Sequence, residues 1–153
     1  MKIMVLGYSE TGKTTAAEML GEMLGLGYAN TSDQLIKEFA EESGLSQEEV
    51  LRDKKSYRKR LFDFGRAKQI ANPLWPQDVQ LKYASILTGL RNPNEVAAAK
   101  SNGLYDMIIW VDRPGFGPNE TDKLGPEDAD VVVVNDGSIS ALAAKLSIIV
   151  APA

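Results

Sequence analysis

Cysteine and histidine are both absent from this sequence of 153 residues. Without cysteine there are no disulfides and no thiolate nucleophile, and without histidine there is no imidazole base. Zinc sites built on these two residue types are excluded as well. Any metal must therefore bind oxygen ligands, which suits Mg²⁺, and any proton acceptor must be Asp, Glu, Lys or Tyr.

Long apolar runs are also lacking. No segment approaches the roughly 20 apolar residues that a membrane-spanning helix needs, so no membrane partner is expected. A glycine-containing loop occupies residues 7–14, where a secretory signal would place its apolar stretch. These features favour a cytoplasmic protein, and the length favours a single domain over residues 1–153.

The charge of the chain is uneven. The formal net charge is −4, yet eight of the 17 basic residues lie in residues 52–68, where only Asp53 and Asp63 are acidic. A local basic surface on an acidic protein is expected to bind an anionic substrate. Within this basic segment, Arg58 and Arg66 are eight positions apart and share one side of a helix. Both are therefore candidates for binding such an anionic substrate, which would be the acceptor of a transfer reaction.

Residues 7–14 read G-x-x-x-x-G-K-T, the pattern of a phosphate-binding loop. An apolar strand-like run precedes the loop and an amphipathic run at residues 14–24 follows it, which is the context that the pattern requires. The glycines let several backbone N–H groups point into one concavity, to which the helix dipole adds positive potential. We expect Lys13 to reach the β- and γ-phosphates and Thr14 to bind Mg²⁺. The predicted nucleotide-binding residues here are Gly7, Ser9, Glu10, Thr11, Gly12, Lys13, Thr14 and Thr15.

Apolar runs typical of buried strands alternate with amphipathic runs typical of helices. Strands covered on both faces predict an α/β fold with a parallel sheet and right-handed crossovers. In such sheets ligands bind at the carboxyl ends of the strands. The polar clusters that follow the predicted strands should therefore lie along one edge: residues 7–14, 31–33, 89–91, 112–113 and 135–137.

The predicted helices have recognisable boundaries. Thr31 with Gln34 fits a capping box that starts the second helix, and Ser46 with Glu49 fits another. One long helix should follow Ser46 until Asn72-Pro73 breaks it. Its candidate inward positions are Val50, Leu51, Tyr57, Leu61, Phe62 and Ile70. A final helix should begin after Ser138, with Ile139, Leu142, Leu146 and Ile149 on one face.

Phosphoryl transfer needs cations around the moving phosphate and a positioned acceptor. Lys13, Arg91 and Arg113 are suitably placed cations. Two carboxylates compete for the roles of metal ligand and base: Asp112 follows an apolar strand as a Walker-B aspartate does, and Asp33 follows another. A helix-capping role is the alternative for Asp33.

The segment of residues 114–126 holds three glycines and three prolines. It is too long and irregular for a tight connection, which predicts a mobile lid over about residues 113–127. A lid would keep water away from the phosphate during transfer. An ordinary surface loop is the alternative.

The order of these motifs resembles the nucleoside monophosphate kinases. The resemblance covers the phosphate loop, Asn30-Thr31-Ser32-Asp33, the run T-G-L-R-N-P-N-E at residues 88–95, and the strand that ends at Asp112-Arg113 before a lid. It is nearest to the deoxynucleoside monophosphate kinases of bacteriophages, which have a similar Arg-x-Pro-Asn-Glu run. Residues 129–138 resemble the last strand and adenine-side loop of that superfamily and of dephospho-coenzyme A kinases.

The resemblance implies a three-layer P-loop kinase sandwich with a five-stranded parallel sheet, a small helical acceptor-binding insertion at about residues 30–83, and a short lid. It implies ATP as the donor, Mg²⁺, a nucleotide acceptor and a location in the host cytoplasm if the protein is viral. Arg91 would contact the acceptor phosphate, and Arg113 would close over the transferring group. Asn135, Asp136 and Gly137 would line the adenine, and the acceptor side would include Thr31, Ser32 and Asp33.

A related family leaves the acceptor open. Some phage P-loop kinases phosphorylate the hydroxymethyl group of 5-hydroxymethyluracil in DNA. In that case the basic segment would follow the DNA backbone, aromatic residues would stack on a displaced base, and Asp33 would gain importance as a base. The aromatic candidates are Tyr57, Phe62, Phe64 and Trp75. A nucleotide-binding regulatory ATPase is a third possibility, and the oligomeric state stays open.

Overall fold

Five short strands form one sheet, and α-helices connect the first four strands in chain order. The computed structural model describes residues 1–119 and 122–151. The strands are β1 (Ile3–Leu6), β2 (Tyr28–Asn30), β3 (Ile86–Thr88), β4 (Met107–Asp112) and β5 (Val131–Val134). The helices are α1 (Lys13–Leu24), α2 (Thr31–Ser43), α3 (Gln47–Arg52), α4 (Lys54–Ala71), α5 (Gln77–Gln80), α6 (Pro93–Ser101) and α7 (Ile139–Ile149), and a 3-10 turn spans Pro126–Asp128.

The sheet order is β2-β3-β1-β4-β5, and every neighbouring pair is parallel. β1 is therefore the central strand, and the phosphate loop that follows it lies at the middle of the sheet edge. Because all carboxyl ends share that edge, the loops after the other strands converge on the same region. The predicted α/β fold with a five-stranded parallel sheet is confirmed.

The strands bury side chains on both faces of the sheet. Ile3 and Val5 belong to a core with α1 and α7, whereas Met4 and Leu6 belong to a core with α6. This alternation follows from the pleat, which points successive side chains to opposite faces. The sheet is thus the middle of three layers, as the resemblance implied.

Helices α2 to α4 carry a third, smaller core, built from Ile36, Phe39, Ala40, Val50 and Leu61. These helices fall within residues 30–83, where the helical acceptor-binding insertion is predicted. None of the helices in residues 1–119 and 122–151 is long and apolar enough to cross a membrane.

The prediction of one long helix after Ser46 is wrong, because the structure has two helices there. The chain forms α3 and α4, which meet at Asp53, where φ is −126° and ψ is 49°. These angles lie outside the helical region, so the chain turns there. Val50 and Leu61 are buried as predicted. Three other predicted inward residues are exposed: Leu51 to 54%, Phe62 to 65% and Ile70 to 76%.

Two further predictions about helices are corrected. Asn30, not Thr31, caps α2, because its side-chain oxygen accepts a hydrogen bond from the Ser32 backbone N–H at 2.9 Å. Ser138 caps α7 as predicted and accepts from the Ala141 N–H. Ile139, predicted on the buried face of α7, is exposed, because it lies in the first turn ahead of the buried Leu142 and Leu146.

Candidate active site

The phosphate loop, residues 7–14, adopts a conformation that glycine makes possible. Gly12 has φ of +96°, and a Cβ built on it would lie 2.7 Å from Asn135 Nδ2. A Cβ on Gly7 would lie 2.6 Å from the carbonyl oxygen of Val111 on β4. The loop is therefore packed directly against the ends of neighbouring strands, with no space for side chains at these two positions.

Side chains hold the loop in place from within and from outside. Thr11 is fully buried, and its hydroxyl donates to the Tyr8 carbonyl at 3.0 Å. Asn135, which follows β5, donates from Nδ2 to the Thr11 carbonyl at 2.9 Å, and its backbone N–H donates to the Asp112 carbonyl. The loops after β1, β4 and β5 are thus joined at the sheet edge, as the strand-end rule predicts.

Lys13 begins α1 and turns its side chain back over the loop. Its Nζ donates to the Gly7 carbonyl at 2.9 Å and to the Tyr8 carbonyl at 3.2 Å. Burial, followed by the positive charge of Arg91, lowers the pKa of Lys13, while Asp122 acts in the opposite direction. The lysine is therefore a partly desolvated cation that shares its surroundings with a second cation.

A cavity of about 430 Å³ opens on the α7 side of the loop. Its wall includes five of the predicted nucleotide-binding residues, and the rest of its lining is one arginine and three apolar residues: Gly12, Thr15, Asn135, Asp136, Gly137, Arg113, Pro114, Ile139 and Leu142. Apolar walls with a few polar groups suit a nucleobase and sugar. Lys145 donates a hydrogen bond to the Asp136 carboxylate at 2.9 Å, which holds this carboxylate at the rim of the cavity. The hydrogen bond and the positive charge of Lys145 lower the pKa of Asp136.

Arg113 lies at the mouth of this cavity. Its Nη1 donates to the Glu10 carbonyl at 3.3 Å, and its guanidinium stands 4.5 Å from the centre of the Phe116 ring. Glu10 has φ of +63° and, like Ser9, carries an exposed side chain. The structure thus brings Arg113 to the side of the phosphate loop that borders this cavity.

A second, smaller cavity lies on the opposite side of the phosphate loop. It is lined by the loop, by residues after β3, by Trp110 of β4 and by the predicted lid: Gly7, Tyr8, Ser9, Lys13, Leu90, Arg91, Trp110, Asp122, Lys123 and Leu124. The structure therefore brings Arg91 together with Lys13, two residues separated by 78 positions in the chain. Of the predicted lid, Glu120 and Thr121 lie outside the described residues.

Sequence reasoning missed two aromatic residues at this second cavity. Tyr8 and Trp110 pack edge to face, with ring centroids 4.8 Å apart. Burial, together with the charges of Glu127, Asp122 and Asp112, raises the pKa of Tyr8. An aromatic residue in an apolar strand is typical of a core, and no sequence signal distinguished Trp110 from its neighbours.

The predicted metal ligands occupy the same edge. Thr14 is exposed in the first turn of α1, and Asp112 is half-buried at the end of β4. No hydrogen bond joins their side chains in the part of the chain that the structure describes. That part also contains no group of three or more carboxylates that could hold a metal ion alone. Mg²⁺ commonly uses one or two protein ligands with substrate phosphates and water, so this sparse donor set fits it.

Asp33 lies near the start of α2, directly after β2. It is exposed in the first turn of α2 and lies near Tyr28. The hydrogen bond from Tyr28 to Glu18, burial, and then the charges of Glu18 and Asp33 raise the pKa of this tyrosine. No hydrogen bond links Asp33 to the phosphate loop within residues 1–119 and 122–151.

Thr31 and Ser32 lie beside the loop after β3. A Cβ on Gly89 would come within 3.0 Å of the Thr31 hydroxyl oxygen, so the two loops are in close contact. The Ser32 hydroxyl donates to Asn30 Oδ1 at 2.8 Å. Thr31 is buried and Ser32 is half-buried, which leaves Ser32 the more accessible of the two.

Arg58 and Arg66 are both exposed on α4. The opposite side of α4 faces the protein. Lys68 forms ion pairs with Glu38 at 3.4 Å and Glu42 at 2.9 Å. Gln69 donates from its side-chain amide to the carboxylate of Glu95. The basic segment therefore divides into an inner part, which holds α4 in place, and an outer part, which includes both predicted arginines.

Comparison with known proteins shows which fold this site is built on. Neither a protein-family model nor a curated protein matches the sequence. Among solved structures, the chain is similar to a shikimate kinase from Aquifex aeolicus vf5, with 20% identity, a TM-score of 0.57 and coverage of 97% of this chain and 94% of that one. It is similar to a shikimate kinase from Acinetobacter baumannii in complex with shikimate (17%, TM-score 0.57, coverage 97% and 92%).

The chain is also similar to dephospho-CoA kinase from Campylobacter jejuni, with 15% identity, a TM-score of 0.54 and coverage of 97% and 95%. At these identities the likeness establishes a shared fold. The α/β architecture with a five-stranded parallel sheet that the sequence resemblance implied is thus shared with these kinases over nearly the whole chain. Two of these three proteins are shikimate kinases and the third is a dephospho-CoA kinase, so they differ from one another in acceptor.

Proposed function

We propose that this protein is an ATP-dependent kinase that transfers the γ-phosphoryl group to a nucleoside or deoxynucleoside monophosphate. The observation that carries the proposal is the meeting of Lys13 and Arg91 in one small cavity beside the phosphate loop. Lys13 belongs to the donor-binding loop, whereas Arg91 follows a different strand. Two cations from separate elements suit two phosphates that must approach each other in line. The structural neighbours named above are kinases, which supports phosphoryl transfer as the reaction.

The donor side is built from the phosphate loop and the larger cavity. Backbone N–H groups of the loop and Lys13 would hold the phosphates, while residues 135–137 and Arg113 would enclose the nucleoside. Mg²⁺, when bound through Thr14 and Asp112, would neutralise phosphate charge. Lys13 stabilises the charge that develops during transfer because it is desolvated and close by.

The acceptor side rests on Arg91. A phosphate monoester carries between one and two negative charges near neutral pH, so an arginine can bind it through paired hydrogen bonds. Such an acceptor is already ionised and requires no base. The exposed position of Asp33 beside Tyr28 is compatible with such an acceptor, because no hydrogen bond among the described residues links this predicted base to the phosphate loop.

A direct test measures transfer from radiolabelled Mg-ATP to a panel of acceptors. The panel contains the ribonucleoside and deoxyribonucleoside monophosphates, shikimate, dephospho-coenzyme A, and duplex DNA with and without 5-hydroxymethyluracil. We expect diphosphate product from at least one free monophosphate. Label on any other acceptor alone would contradict the proposal, and slow ATP hydrolysis without transfer would favour a regulatory ATPase. Lys13→Ala protein serves as the control for contaminating kinases.

The DNA-modifying alternative has one observation in its favour. The outer side of α4 exposes Phe62 to 65%, and Arg58 and Arg66 flank it at positions four residues away. Basic and aromatic side chains on one exposed face suit a single strand or a displaced base. If the modified DNA accepts label, Phe62→Ala and Arg66→Ala should each weaken that transfer, and the effect of Arg66→Ala should shrink as salt rises.

A further inference from the structure

The two tryptophans of this chain differ in how their indole N–H groups are used. Trp75 Nε1 donates to Glu38 Oε2 at 2.7 Å. Trp110 is only 1% exposed, and its Nε1 has no hydrogen-bond partner within residues 1–119 and 122–151. A buried N–H without a partner is unfavourable, and in native proteins such a group usually has a reason.

Trp110 occupies a position where a ligand could satisfy this N–H. Its indole lines the small cavity beside the phosphate loop together with Lys13 and Arg91. Tyr8 packs edge-on against the ring at 4.8 Å with an interplanar angle of 83°, so the orientation of the indole is fixed. Strand pairing fixes its backbone, because Trp110 is aligned with Leu6 on β1 and Val132 on β5.

The other groups at this cavity define the kind of ligand. Lys13, Arg91 and Lys123 are cations, Asp122 is an anion, and Trp110 adds a neutral donor. This excess of cations, together with a neutral donor, suits the oxygens of a phosphate. A rigid indole N–H also gives a direction that the flexible side chains of lysine and arginine do not supply.

We infer that Trp110 is a further acceptor-binding residue, whose Nε1–H donates a hydrogen bond to a phosphate oxygen of the acceptor held between Lys13 and Arg91. The inference rests on the proposed function, since it takes the acceptor to be a monophosphate. The cavity as it stands holds about 10 Å³, close to one water molecule, because residues 122–124 lie against the loop. These residues must therefore withdraw for a phosphate to enter, and an ordered water is the competing partner of the N–H.

The matched variants Trp110→Phe and Trp75→Phe test the inference, because each removes one indole N–H and keeps an aromatic ring. Without ligand, Trp75→Phe should lower the free energy of unfolding by more than Trp110→Phe, since only Trp75 loses a hydrogen bond to protein. In steady-state kinetics, Trp110→Phe should have the larger effect of the two variants. Trp110→Phe should raise the acceptor KM roughly tenfold or more and leave the ATP KM nearly unchanged, whereas Trp75→Phe should change neither KM much.

Binding without turnover provides a readout independent of activity. With the donor site saturated by Mg²⁺ and a non-hydrolysable ATP analogue, each of the four deoxynucleoside monophosphates is titrated by calorimetry into wild type and Trp110→Phe. Trp75→Phe leaves Trp110 as the sole tryptophan, so its emission should change as a monophosphate binds. A weaker monophosphate affinity in Trp110→Phe supports the inference.

The failures of the two proposals are distinguishable. If a monophosphate is phosphorylated and Trp110→Phe leaves its KM and affinity unchanged, the N–H serves a water only, and the inference is overturned while the proposed function stands. If Trp110→Phe weakens monophosphate binding but no monophosphate is phosphorylated, the proposed function fails and the phosphate contact of Trp110 stands. A rise in the ATP KM alone overturns the assignment to the acceptor.

Discussion

The side-chain amide of Gln69, near the end of α4, donates a hydrogen bond to the half-buried carboxylate of Glu95 in the first turn of α6. The Gln77 side chain of α5 donates to the backbone carbonyl of the same glutamate at 3.1 Å. Glu95 lies four residues after Arg91, so these bonds attach the loop that carries Arg91 to α4 and α5. A change at Glu95 is therefore expected to affect both stability and the proposed acceptor site.

The pH dependence of stability should report the burial of Glu95. Burial raises the pKa of this carboxyl, and the hydrogen bonds from Gln69 and from the Asn92 and Arg91 backbone only partly oppose the shift. Between the unfolded and the folded pKa, the folded protein holds more protons than the unfolded one, so stability falls as pH rises through this window. The loss is complete above the folded pKa.

Comparison with Glu95→Gln isolates this contribution. Urea unfolding from about pH 4 to pH 8 should show wild type losing stability relative to the variant as pH rises, with a plateau at the upper end. The difference between the two proteins cancels the titration of other groups, including Glu38. Two parallel stability curves would mean that Glu95 titrates alike in the folded and unfolded states.

Removal of the charge of Lys13 should abolish most transfer. Lys13→Ala deletes a partly buried cation aimed at the phosphates, and losses of about a hundredfold or more in kcat are typical of such groups. Lys100→Ala, at an exposed position near the end of α6, is the matched control and should be nearly silent. Comparable rates for Lys13→Ala and wild type would remove the phosphate loop from the reaction.

Much of the fold followed from local pattern. The phosphate loop, its flanking strand and helix, and the polar residues after each strand were all predictable, because parallel strands place their carboxyl ends together. The break between α3 and α4 at Asp53 was not predictable, because the helical spacing of apolar residues from Val50 to Leu61 continues through it. Only the packing of α3 and α4 against α2 requires the turn there.

The missed residues of the site depend on tertiary position. Trp110 differs from a core tryptophan only in having an N–H without a partner, and that property requires the surroundings of the ring. The surroundings of Asp33 also depend on tertiary structure. Sequence places Asp33 at a strand end, but its direction depends on how α2 leaves β2, where Asn30 caps the helix.

Substitution of Arg91 and of Arg113 should affect the binding of different substrates. Arg91 lines the small cavity with Lys13, whereas Arg113 lines the larger one with Asn135. Arg91→Ala should therefore raise the acceptor KM by about tenfold or more with little change for ATP, and Arg113→Ala should raise mainly the ATP KM. Steady-state kinetics with each substrate varied in turn decides this, and an exchange of the two patterns would reverse the assignment of the cavities.

Gly12→Ala should uncouple the phosphate loop from Asn135. Gly12 has φ of +96°, and the added Cβ would lie 2.7 Å from the Asn135 amide nitrogen, which donates to Thr11. The matched control is Gly44→Ala at the end of α2, where φ is +69° and nothing lies within 4 Å of the new Cβ. Both variants carry the backbone strain of about 1 kcal/mol that a left-handed alanine costs, but only Gly12→Ala also displaces Asn135.

Calorimetry with ATP and unfolding by urea distinguish the two variants. We expect Gly44→Ala to lower stability but to bind ATP as tightly as wild type. Gly12→Ala should lose both stability and ATP affinity. Equal ATP affinities for the two variants would show that contact between the loop and Asn135 is not needed for nucleotide binding.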